Sequence, residues 1–134
     1  MLLILPSHQQ LDITKNKLQQ IAKTQFEIVD FLFISDVAGT ESGDLLSISD
    51  LTYNANFRKK DFKLTIRNKY DIVINFSQNS DPTLELFIIG IDTSLRIRFD
   101  RINEKFYNFI VPMENKDIPT RFEQFLKVYQ TLKK

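Results

Sequence analysis

The stretch from Tyr70 to Arg101 constrains the fold more than any other part of the chain. Tyr70-Asp-Ile-Val-Ile-Asn-Phe76 is rich in β-branched and aromatic residues, Ser77-Gln-Asn-Ser-Asp-Pro82 is polar, Thr83 to Gly90 is largely apolar, and Leu95-Arg-Ile-Arg-Phe-Asp-Arg101 alternates. Strand, polar loop, short helix and second strand form the repeating unit of a parallel α/β sheet. Pro82 suits the first turn of that helix, Asp81 its N-cap and Gly90 its stop. Leu95, Ile97 and Phe99 alternate with Arg96, Arg98 and Asp100, which predicts a strand with one buried and one wetted face, away from the sheet centre.

The same reading extends outward in both directions. Leu2 to Leu5 is a continuous apolar run closed by Pro6, as in a strand buried on both faces. Asp12 to about Thr24 places Leu18, Ile21 and Ala22 near helical spacing and predicts an amphipathic helix. Glu27 to Ile34 predicts a second strand and Leu45 to Ile48 a short third one, with the glycine-containing, polar segment Ser35 to Asp44 as loop. Phe57 to Lys69 is read as a helix that returns the chain to the start of the strand Asp71 to Phe76, as a right-handed crossover requires. Tyr107 to Val111 predicts a strand preceded by too few residues for a helical crossover, so it is expected to pair antiparallel at an edge or to arrive there by an unusual connection. Ile118 to Leu132 closes the chain as an amphipathic helix. The expected architecture is one α/β domain over residues 1–134: an open, mostly parallel Rossmann-like sheet with helices on both faces, with an antiparallel edge strand as one of the two readings of Tyr107 to Val111.

Composition narrows the function. With 134 residues the chain can bury a core without a metal or disulfide. Its 18 basic and 17 acidic side chains leave a formal net charge of +1, so no global field gathers nucleic acid or an anionic membrane. The absence of cysteine excludes a disulfide framework, a thiolate zinc site and a cysteine nucleophile, and suits a reducing compartment. Met1 is followed by Leu-Leu-Ile-Leu-Pro6, which lacks a basic leader and is far shorter than a membrane span. A cytoplasmic protein without membrane insertion is therefore expected. No Gly-x-Gly-x-x-Gly follows a strand and no Gly-Lys-Ser/Thr loop is present, so neither a dinucleotide nor a P-loop ATP is expected as cofactor. One histidine and no cysteine leave only carboxylates for a metal, and Asp36, Glu41 and Asp44 lack calcium-loop spacing, so no metal site is expected.

Ligands of open α/β sheets bind outside the carboxyl ends of the strands, where the strand order reverses. If the order is the common one, Leu2 to Leu5 and Asp71 to Phe76 are neighbours at that point. The crevice would then be lined by Ser7, His8 and Gln9 from one loop and Asn75, Ser77, Gln78 and Asn79 from the other. His8 is the natural general acid or base by its ordinary pKa, with Asp12 and Ser77 as possible partners, although a lone loop histidine is more often simply solvated. Ser77 and Asn79 could donate to a phosphate or sugar, against which stand ordinary turn roles and the negative charge of Asp81. Lys59, Lys63 and Arg67 recur at helical spacing and form a basic stripe that could meet an acidic partner; a solvated helix face is the preferred reading. Arg96, Arg98 and Arg101 form a second stripe, read as snorkelling over the sheet or guarding its edge.

The strand Tyr70 to Phe76, the helix Thr83 to Gly90 and the strand Leu95 to Arg101 resemble the N-terminal half of the heptosyltransferase-like glycosyltransferases. More closely, Asp61 to Asn68, Tyr70 to Phe76, Leu95 to Phe99, Asn108 to Val111 and Arg121 to Leu132 together resemble a family of small bacterial Rossmann-like proteins of unknown function. The glycosyltransferase resemblance implies a nucleotide-sugar site shared with a second Rossmann domain, for which this chain has no residues left. Where those enzymes carry a Gly-Asp loop after the first strand, this chain has Pro6-Ser7-His8-Gln9-Gln10, so no catalytic residue transfers.

Three functions follow as expectations. The first is a binding or interaction module without catalysis, acting through a protein partner or as a homo-oligomer, with a small molecule also possible. The alternative is a glycosyltransferase-like half-domain binding a sugar phosphate or nucleotide at the carboxyl ends of its strands. The third is electrostatic docking through the Lys59 to Lys69 helix.

Overall fold

The computed structural model describes residues 1–6, 11–35, 44–47, 51–52, 67, 69–77, 81–99, 107, 109–110 and 117–133. Their order is β1 (Leu2–Pro6), α1 (Leu11–Ala22), β2 (Asp30–Ser35), β3 (Asp44–Ser47), β4 (Lys69–Asn75), α2 (Pro82–Ile89), β5 (Asp92–Arg98), β6 (Phe109–Ile110) and α3 (Ile118–Lys133). The strands form one sheet in the order β3-β2-β1-β4-β5-β6, and every neighbouring pair is parallel. This is the arrangement of a Rossmann-like α/β fold. The chain leaves β1 in one direction, toward β2 and β3, and resumes at β4 in the other, so the order reverses between β1 and β4 as expected. Of the helix predicted over Phe57 to Lys69 only Arg67 and Lys69 are among the described residues, and neither is helical: Arg67 lies outside any helix or strand and Lys69 already belongs to β4.

The pleat sends alternate side chains to opposite faces, and parallel register brings like-facing residues side by side. On one face Leu3 stands between Phe31 and Ile74, and Ile74 is matched with Ile97. These residues pack with Leu18 and Ala22 of α1 and Phe122, Phe125 and Leu126 of α3. Rings join the layers there: Phe76 stacks on Phe99 at 4.9 Å and meets Phe122 edge-on at 6.3 Å. On the other face Leu2, Ile4, Leu32 and Val73 pack with Leu84 and Ile88 of α2. Helices thus cover both faces.

Two strand expectations are corrected. β6 pairs with β5 in parallel, through Ile97↔Phe109 and Arg98↔Ile110, and not antiparallel. A parallel neighbour usually needs a long crossover because the chain must return to the start of the preceding strand. Among the described residues, β6 meets β5 at the last two residues of that strand. The second correction concerns β5 itself. Ile97 is buried on the α1/α3 face and Arg98 is buried on the α2 face, so the carboxyl end of this strand is covered on both sides. Its arginines do not form a solvent stripe.

The ends of α2 show what holds a short helix with no polar face. Asp81 accepts hydrogen bonds from the backbone N–H groups of Thr83 and Leu84 at 2.9 and 3.1 Å, the N-cap that the sequence predicts. Gly90 does follow the last helical residue, but at φ −73° it remains right-handed, so the stop does not come from the left-handed freedom of glycine. Instead Arg96 donates from one guanidinium nitrogen to the carbonyls of Ile89 and Ile91, both at 2.8 Å. A cation there satisfies carbonyls the helix leaves open and complements the negative end of its dipole.

Candidate carboxyl-end site

Asn75 ends β4 and Arg98 ends β5, and the parallel register sets them side by side. Because Ile4 is matched with both Leu32 and Asn75, these residues form one lateral row on the α2 face: Leu32, Ile4, Asn75, Arg98. The row is apolar across β2 and β1 and turns polar on crossing to β4 and β5, next to the point where the strand order reverses. Glu85, in the first turn of α2, faces inward over this polar half. Tyr107 comes to it from just before β6.

Asn75, Ser77, Glu85 and Arg98 are each at most 3% exposed, and a buried polar group must find partners within the protein. They find one another. A guanidinium nitrogen of Arg98 donates to Glu85 Oε1 in a buried ion pair, and the other donates to the Ser77 carbonyl at 3.3 Å. Asn75 Oδ1 accepts from both the backbone N–H and the hydroxyl of Ser77, at 2.9 and 2.6 Å. Its Nδ2 donates to the Tyr107 oxygen at 2.9 Å.

Tyr107 is held through its hydroxyl. That oxygen accepts from Asn75 Nδ2 and from Arg98 Nη1, the latter at 3.3 Å, and donates to Glu85 Oε2 at 3.1 Å. The Arg98 guanidinium lies 5.5 Å from the centroid of the same ring, within cation–π range. Burial pushes the phenol's pKa up, a shift that the Asn75 hydrogen bond opposes and the nearby Glu85 charge reinforces. It therefore stays protonated and able to donate.

Of the predicted crevice residues, the structure brings Asn75 and Ser77 together, in a buried cluster and not on an open wall. Ser7, His8, Gln9, Gln78 and Asn79 lie outside the described residues, as do Lys59, Lys63 and Arg101. Arg67 of the basic stripe stands at the opposite end of the sheet, before β4. Its side chain approaches Asp30 Oδ2 at 3.4 Å, and its backbone N–H donates to the Tyr70 hydroxyl, which in turn donates to Asp30, both at 2.7 Å. That charge helps tie β4 to β2. Glu85, Arg98 and Tyr107 were not among the predicted site residues. The signal for two of them was present as a single carboxylate inside the apolar helix and a single guanidinium between Ile97 and Phe99. Opposite charges placed alone in two adjoining apolar elements are a buried pair in waiting.

Among the described residues no group of histidine, cysteine, aspartate or glutamate could hold a metal ion, and no helix is long and apolar enough to cross a membrane. The sequence matches DUF6913, a family of unknown function, over residues 3–132, and the chain belongs to that family. No curated protein and no solved structure matches it. The resemblance to a family of small proteins without assigned function is thereby borne out, while nothing supports the resemblance to glycosyltransferases.

Proposed function

We propose that this chain is a single-domain binding or interaction module without catalysis of its own. The observation that carries the reading is how the reactive-looking groups at the carboxyl ends of β4 and β5 are engaged. The Ser77 hydroxyl is given to an amide oxygen, which cannot take its proton as a base would. Both carboxylate oxygens of Glu85 are already engaged, one by the Arg98 guanidinium and the other by the Tyr107 hydroxyl. The Tyr107 phenol is buried and kept neutral. Such groups recognise and hold; they are not arranged to transfer protons. The cysteine-free sequence suits a reducing compartment, and the proposal places the module in the cytoplasm.

The test combines turnover with binding on the full chain. Purified protein is incubated with nucleotides, sugar nucleotides, sugar phosphates and other phosphoesters, followed by product analysis and by thermal shift. The expected outcome is no turnover of any of them, with stabilisation reserved for compounds that bind. A bound compound at about a hundred times its dissociation constant adds roughly 2.7 kcal/mol. Turnover that disappears in Ser77→Ala or Glu85→Gln would overturn the proposal and return the carboxyl-end cluster to catalysis.

A further inference from the structure

We draw no further inference here: the strongest candidate, the apolar surface patch on the outward side of α2 around the half-exposed Leu86, carries nothing because nothing in the structure shows what covers it.

Discussion

On the α1/α3 face the sheet meets its helices through rings and aliphatic groups, with Phe76, Phe99, Phe122 and Phe125 at the centre. On the α2 face the contact is apolar over β1 and β2, but over β4 and β5 the helix is held by two arginines of one strand. Arg98 takes the carboxylate in its first turn and Arg96 takes carbonyls at its end. The helices differ accordingly. α1 and α3 carry a polar face outward, whereas α2 turns its one carboxylate inward and leaves Leu86 49% exposed. Orientation on the first face comes from amphipathicity, which is non-directional and tolerant of slippage. On the second it comes from directional bonds that admit one placement.

That difference can be broken experimentally. Phe122→Ala is expected to cost about 3–5 kcal/mol in urea unfolding, from lost transfer energy and a cavity. Arg98→Met is expected to cost a similar amount, about 3–5 kcal/mol, because Glu85 is left as a buried, uncompensated charge. The two losses separate in the double variant. Adding Glu85→Leu to Arg98→Met should recover most of the loss, since no charge then remains to be satisfied, whereas no single change elsewhere refills the Phe122 cavity. If the double variant is as unstable as Arg98→Met alone, the ion pair contributes through packing and the contrast between the faces fails.

Smaller effects sharpen the contrast at the helix ends. α3 begins with Asp117, whose side chain accepts from the Thr120 N–H at 2.8 Å, and hydrogen bonding to Thr120 holds its carboxyl below the ordinary 3.8. A carboxylate with a lowered folded-state pKa stabilises above the unfolded value and loses that contribution as pH falls through the folded one. Asp117→Ala is thus expected to cost about 1 kcal/mol at neutral pH, and its melting temperature should converge on that of the wild type as the pH is lowered below about 3.8. A constant gap across pH would show that the capping bond is not the source. The smallest effect is expected at Gly90. Its φ is −73° and an added Cβ would meet the Phe87 carbonyl oxygen at 3.4 Å, an ordinary contact, so Gly90→Ala should stay within about 0.5 kcal/mol of the wild type. A larger loss would mean that the cap at Gly90 depends on the absence of a side chain there.

The contrast also explains which parts were legible in advance. Strands β1, β2 and β4, helices α1 and α3 and the Asp81 cap all follow from period, propensity and local hydrogen bonding. Each depends on residues within a few positions of one another. The Gly90 stop of α2 was legible as well, whereas the Arg96 bonds to the carbonyls of Ile89 and Ile91 come from the next strand and lie beyond local reading. For Tyr107 to Val111 the sequence left two readings, antiparallel pairing at an edge or arrival by an unusual connection, and the parallel pairing of β6 with β5 rules out the first. In the candidate site, Asn75 and Ser77 were found by their position after a strand, while Glu85, Arg98 and Tyr107 were not.

The amino-acid sequence by itself determined an α/β chain, the strand pair Leu2–Leu5 and Asp71–Phe76 as a candidate for the reversal of order, and a helix capped by Asp81. Backbone conformation and burial periodicity are set locally, so a sequence states them directly. Only the tertiary structure decided that Arg98, which alternation assigns to solvent, is buried and that Asn75, Glu85 and Tyr107 converge on it. Alternation says which side of a strand a residue faces, but whether that side is wet depends on what another element lays across it. Here α2 and Tyr107 close over the carboxyl ends of β4 and β5, and in that low-dielectric space each polar group holds its place only because the others are there to satisfy it.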